Sequence, residues 1–246
     1  MPDRRVHRGK HPDDEEQFGA PMVPLMQAAT RDLSWLLDRG YRVNSALKLT
    51  GDRYALTARQ RAAVSRCACP ERAARRRQLR MVAAPELTGR ILRIDGFNLL
   101  TTLEVALSGG VVLIGRDNVM RDIAGVHGSY RSVEETRPAL ESIARVCSKL
   151  NIASCEWLLD APVSNSGRLC AVILELAREH ALAWEARVAP DPDVILAASP
   201  DVVASADGQV LDAAARSCNL ARICIERAVP NAFIVDLSAA EDVTDD

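Results

Sequence analysis

From residue 89 onward, short apolar runs alternate with longer stretches of helical periodicity. This alternation limits the folds open to the chain more than any other feature. The runs fall at 91–94, 111–114, 157–159, 183–188, 202–206 and 232–237. Between them, the stretch up to Leu107 and the segments 133–150, 169–180 and 194–198 read as helices. Leu140, Ile143, Ala144 and Cys147 share one helical face, and Val172, Ile173 and Leu176 share another. Strands that are apolar without alternation are buried on both faces, as in parallel sheets covered by helices. Residues 89–240 are therefore expected to form a three-layer α/β/α domain with a central, mostly parallel sheet. Residues 116–130 read as a polar, glycine-containing connection.

Residues 21–88 follow a different pattern. Leu25, Ala28, Ala29, Leu33, Leu36 and Leu37 fall on one broad helical face that Gly40 ends. A short helix is expected at 45–49, and Thr57 is a suitable N-cap for another that runs to Pro70. The segment 71–80 follows, with Arg72, Arg76 and Arg80 spaced to line one face. A small all-α domain thus precedes the α/β domain. Residues 1–20 read as a mobile tail and 241–246 as an acidic one.

The formal net charge of −2 is divided unevenly, +8 over residues 1–90 and −10 over residues 91–246. Ordinary glycine and proline counts and a 48% hydrophobic content exclude a collagenous or wholly disordered chain. No apolar run approaches the ~18 residues that span a bilayer, so no membrane partner is expected. The charged N-terminus lacks an apolar secretory core, which points to the cytoplasm and to reduced, buried thiols for the seven cysteines. Cys67-Ala-Cys69 has no second pair at zinc-ligand spacing. A homo-oligomer is compatible with this composition.

The aspartates carry the chemistry. Asp95, Asp160 and Asp207 each follow a strand directly, and Asp193 opens the short helix at 194–198. In a parallel sheet all carboxyl ends lie along one edge, where ligands bind, so these four can converge although they are far apart in sequence. Clustered carboxylates repel and stay ionised most readily around a divalent cation. Oxygen ligands suit Mg²⁺ or Mn²⁺, which activate water and neutralise charge in phosphodiester cleavage. Each aspartate at a strand–helix junction can equally serve as an ordinary N-cap.

Ile94-Asp95-Gly96-Phe97-Asn98-Leu99-Leu100 resembles the opening strand and turn, "DGYN", of the NYN branch of PIN-like nucleases. Leu159-Asp160-Ala161 is similar to that branch's second strand end. Pro192-Asp193-Val194-Ile195 resembles its helix start, and Val203-Ala204-Ser205-Ala206-Asp207 its "V-A-T-S-D" strand. The four matches occur in the family's order and cover most of 91–215. The whole chain also resembles an uncharacterised family, domain of unknown function 434. The nuclease resemblance implies a PIN-like fold, an acidic Mg²⁺ or Mn²⁺ site and hydrolysis of RNA or another nucleic acid. Asp95, Asp160, Asp193 and Asp207 would be metal or water ligands, and Asn98 would orient water or ligand through its amide. The chain departs from the family pattern in the inserted run at 111–114 with its following loop, and in Ala206, which replaces a serine.

The insertion adds candidates of its own. Asp117 follows a strand end and is a further candidate ligand. Arg116, Arg121, Arg131 and His127 lie in a glycine-containing loop of a kind that can hold a phosphate. Together with Arg72, Arg76 and Arg80, these arginines are the expected nucleic-acid contacts. The arginine face can instead remain solvated or dock on the acidic half. The motifs of P-loop NTPases, dinucleotide-binding folds and α/β-hydrolases are absent. An aspartyl-phosphate phosphatase would need a second aspartate where Phe97 stands. The competing expectation is a catalytically silent nucleic-acid-binding or regulatory protein.

Overall fold

The structure is a computed structural model that describes residues 7–124 and 128–238. Five helices come first: Asp14–Phe18 (α1), Val23–Asp38 (α2), Val43–Arg53 (α3), Ala58–Cys67 (α4) and Glu71–Leu79 (α5). Thr57 caps α4 through a capping box with Gln60. The α/β part then runs Ile91–Asp95 (β1), Gly96–Leu107 (α6), Val111–Ile114 (β2), Met120–Asp122 (β3), Thr136–Lys149 (α7) and Ser154–Asp160 (β4). It continues through Ser166–Glu179 (α8), Trp184–Ala189 (β5), Pro192–Ala197 (α9), Val202–Ala204 (β6), Gly208–Ala213 (α10), Ser217–Cys218 (β7), Leu220–Ala228 (α11) and Phe233–Asp236 (β8). Among the described residues, no helix is long and apolar enough to cross a membrane.

The central sheet has the order β5-β4-β1-β6-β7 and is parallel throughout. Apolar residues of α6, α7, α8 and α11 cover one face around Trp157, Ile94 and Leu92. The short α9 and α10 cover the other through Leu196 and Val210, which pack on Leu158 and Val203. This is the expected mixed α/β architecture with a mostly parallel central sheet.

Two strands expected in that sheet lie elsewhere. β2 and β8 pair in parallel, and β3 joins β2 antiparallel, in a separate sheet of order β3-β2-β8. β3 arises inside 116–130, the segment read as irregular connection. β2 is buried on both faces by different partners. Val112 and Ile114 join the core of the α/β part, whereas Val111 and Leu113 pack with Phe18, Met26, Leu33 and Val64 of the N-terminal helices. Val235 and Leu237 enter this second core too. The run of apolar residues at 111–114 correctly signals burial on two faces, but it carries no information about which layers do the burying.

Residues 7–20, expected as part of a mobile tail, are folded against the body. Phe18 is buried, and the Arg8 guanidinium pairs with the fully buried Glu104 of α6. Tyr130 and Thr136 hydroxyls donate to the other Glu104 oxygen at 2.5 and 2.6 Å. Residues 1–6 and the acidic tail at 241–246 lie outside the described residues. The seven cysteines are free and buried. Burial pushes the Cys67 thiol up to about 12 and the Cys69 thiol to about 11.

Candidate active site

The central sheet reverses its winding between β1 and β6, because the chain builds outward from β1 through β4 and β5 before returning to β6 and β7 on the other side. In open parallel sheets the crevice at this switch point, beyond the carboxyl ends of the strands, is the usual ligand site. Here it is a cleft of ≈ 270 Å³ whose lining includes Asp95, Asp160, Asp193 and Asp207, together with Asp122, Asn98 and Arg66.

Each aspartate is placed by local structure. Asp95 ends β1 and caps α6, with one carboxylate oxygen accepting from the Asn98 backbone N–H at 3.4 Å. The turn is tight: a Cβ on Gly96 would lie 2.5 Å from Leu159 Cδ2 and 2.9 Å from the Leu158 carbonyl oxygen, so glycine lets α6 start against β4. Asp160 ends β4. Its strand neighbour Leu158 pairs with Asp95, so Asp160 stands two residues beyond that level on the same face, ~6.6 Å further along the strand. Asp193 rides on α9, which packs on β1 and β4. Asp191 caps α9 by accepting from Val194 N at 3.3 Å, leaving Asp193 without that duty. Asp207 follows β6 and caps α10, accepting from Gln209 N at 2.7 Å and Val210 N at 3.1 Å. Asp95 and Asp207 therefore both cap a helix and line the cleft.

Burial, the largest cause, pushes the Asp95 carboxyl up to about 7, and the Asp193 and Asp160 carboxylates push it the same way. Burial also raises Asp193, aided by Asp207, Asp160 and Asp191, and raises Asp160, aided by Asp191. Mutual repulsion of this kind is what a bound cation would relieve. Among the described residues, no three His, Cys, Asp or Glu side chains are gathered closely enough to enclose an ion. The cleft offers carboxylate oxygens, the donor type that hard divalent cations take, but it is not a closed all-protein cage.

Two cleft residues, Asp122 and Arg66, and Ser205 behind Asp95 escape the sequence reading. Ser205 donates its hydroxyl to Asp95 at 2.8 Å and accepts from Asp207 N at 3.0 Å, tying the two aspartates together. It holds the position before Ala206 in the motif, so a hydroxyl contacts Asp95 although Ala206 has none. Asp122, from β3, is held by Thr102 Oγ1 at 2.9 Å and Thr101 Oγ1 at 3.3 Å. Arg66, in the last turn of α4, has no hydrogen-bond or ion-pair partner among the described residues. A hydroxyl two residues before a motif aspartate was a readable signal for Ser205. No local pattern marks Asp122 or Arg66, because each reaches the cleft from a separate layer.

The remaining candidates fall as follows. Asn98 lines the cleft and spends its carbonyl oxygen on Ala206 N at 3.0 Å, which locks the β6 loop onto α6. Asp117 is not in the cleft. It is buried, bonded to Arg77 at 2.8 Å and to Arg121 at 2.7 and 2.6 Å, and held at about 2 by those guanidinium groups against the opposing effect of burial. Arg121 is correspondingly buried and also donates to the Ala206 carbonyl at 2.9 Å, so it is a structural cross-link and not an exposed phosphate contact. Arg116 pairs with Glu71 at 2.7 Å. Arg76 pairs with Asp212 at 2.9 Å, and Arg80 donates to the Asp212 and Ala214 carbonyls at 3.0 and 3.1 Å. Most of the arginine face thus docks on α10 of the acidic half, leaving Arg72 exposed. Arg131 is exposed, its carbonyl accepting from Arg8 at 2.7 Å. His127 lies outside the described residues.

Residues 25–80 match the family described as Protein of unknown function (DUF434), so the resemblance to domain of unknown function 434 holds over the helical part and not over the whole chain. The uncharacterized protein MJ0935 of Methanocaldococcus jannaschii is 27% identical over 186 residues, covering 76% of this chain and 88% of that protein. No solved structure matches the chain. The segment that carries all four motif aspartates lies within residues 84–223, which match the family described as Domain of unknown function (DUF5616), and to this family the chain belongs.

Proposed function

We propose that the α/β part is a PIN-like, NYN-type domain and that the protein is a divalent-metal-dependent ribonuclease. The observation that supports this reading is the convergence of Asp95, Asp160, Asp193 and Asp207 on one cleft at the switch point of a parallel sheet. They approach from separate segments, in the order of the nuclease motifs. When bound, Mg²⁺ or Mn²⁺ supplies water activation and charge neutralisation at the phosphodiester, and these four carboxylates would hold it in part through its coordinated waters. The chain's own contribution is positioning. Ser205 orients Asp95, the caps on α6 and α10 fix Asp95 and Asp207, and the Asn98 amide offers donors to water or phosphate. RNA is the proposed partner, with another nucleic acid as the alternative substrate.

The test is cleavage of a labelled single-stranded RNA in Mn²⁺ or Mg²⁺. Wild type is expected to cleave, with activity lost on chelation, while Asp95→Asn and Asp207→Asn abolish cleavage and keep the wild-type circular dichroism. Equal RNA decay from wild type and both variants overturns the proposal. One observation favours a binding-only version of the same cleft, the absence of three gathered ligands among the described residues. Metal-independent RNA binding with no cleavage by wild type would select that version.

A further inference from the structure

A second pocket of ≈ 290 Å³ adjoins the acidic cleft, and the two share Arg66, Asn98, Asp122 and Asp207 in their linings. Its character is different. Three guanidinium groups line it, those of Arg66, Arg77 and Arg121, with the Ser65 hydroxyl beside Arg66 on α4. Arg77 and Arg121 converge on the single buried carboxylate of Asp117, and Arg77 shares Asp212 as well. Most of their donors are taken and their charges are paired with these carboxylates, so they form a rigid wall. Arg66 is exposed and makes no ion pair among the described residues, although five aspartates line the cleft it borders. Its helix end is fixed, since Arg116 N donates to the Cys67 carbonyl at 3.0 Å. The Gly115 Cβ position lies 3.2 Å from that same oxygen, so a side chain there would crowd the join.

A polyanionic strand entering five carboxylates is repelled unless a cation stands next to them, and a guanidinium is the side chain best shaped to grip a phosphate through two parallel hydrogen bonds. We propose that this pocket is a subsite for an RNA backbone phosphate next to the acidic cleft, with Arg66 as its binding residue. The inference rests on the reading of the cleft as an RNA site. It gives the N-terminal helices a direct part in that site, since Arg66 belongs to the helical segment and the aspartates to the α/β segment.

The experiment uses the full chain carrying Asp95→Asn, with Mg²⁺ present, and measures binding of a fluorescent single-stranded RNA by anisotropy across a salt series. Adding Arg66→Ala is expected to weaken binding about tenfold and to reduce the slope of log K against log salt by about 0.7, the value for one phosphate contact on a single strand. Arg66→Lys should fall between the two, since it keeps the charge and loses the bidentate grip. Arg42→Ala, an exposed arginine at the start of α3, controls for surface charge. Unchanged affinity and slope in Arg66→Ala, or an equal loss in Arg42→Ala, overturns the subsite. With the otherwise wild-type enzyme, Arg66→Ala is expected to raise KM with kcat nearly unchanged. Cleavage with an unaltered KM removes the subsite and leaves the ribonuclease reading intact. Absent cleavage with Arg66-dependent RNA binding removes the ribonuclease reading and leaves the subsite.

Discussion

Asp95 is buried, and its carboxyl is pushed up to about 7, chiefly by loss of solvent and then by the neighbouring Asp193 and Asp160 carboxylates. The folded state therefore holds a proton that the unfolded chain releases near pH ~4. Stability from this group is present in full below that value and is lost as pH rises through about 7. Asp95→Asn should flatten the loss. Its Tm is expected to match wild type near pH 4 and exceed it by several degrees at pH 8, at about 2–4 °C per kcal/mol for a chain of this length. Thermal melts across pH check this, and a constant difference at all pH values would contradict it. Added Mg²⁺ should narrow the gap at pH 8, because a cation stabilises the ionised form that asparagine lacks. Asp95 was legible in the sequence because a motif and a strand end coincide on it. Its partner Ser205 was less legible, because a hydroxyl bond across two strands leaves no periodic trace.

The Asp117 turn between β2 and β3 joins α5 to the α/β part. One buried carboxylate accepts from two guanidinium groups, Arg77 of α5 and Arg121 of β3. Removing it leaves the buried Arg121 without a carboxylate and Arg77 with Asp212 alone, so Asp117→Ala is expected to cost about 3–5 kcal/mol and to lower Tm by roughly 10 °C. The folded-state value of about 2 means this contribution is present above the ordinary carboxylate range and is lost as pH falls toward 2. Melts of Asp117→Ala check the loss, and a Tm within two or three degrees of wild type would refute it. The sequence placed Asp117 after a strand, as it did the cleft aspartates. The difference is that β2 lies in the smaller sheet, and the Asp117 carboxylate after it is turned onto Arg77 and Arg121 instead of into the cleft. β3 itself has only the residues Met-Arg-Asp, and nothing in that triplet announces a strand. The helices α10 and α11 occupy 208–228, to which the strand-and-helix reading of the sequence assigns no element.

At the scale of the whole molecule, the division at residue 89 that composition and charge suggest does not separate two cores. Val111, Leu113, Val235 and Leu237 bury their side chains among the N-terminal helices, and residues 80–82 pair with β7 at the edge of the central sheet. A chain beginning at residue 84 would expose one face of β2 and β8 and one sheet edge. It is expected to be insoluble or to lack a cooperative melt, whereas the full chain should unfold in a single transition. A soluble 84–246 fragment with a sharp melt would show that the two parts are separable. By itself the sequence determined the α/β alternation, the strands β1, β4, β5 and β6, and the aspartates at one edge. These follow from local periodicity and from the rule that parallel strands share a carboxyl end. Only the tertiary structure decided that β2 and β8 form a sheet of their own, that Asp117 is an internal anchor, and that Asp122 and Arg66 border the cleft. The physical reason is that apolarity and charge state what a residue needs as a neighbour, whereas the chain's path through space decides which distant residue supplies it.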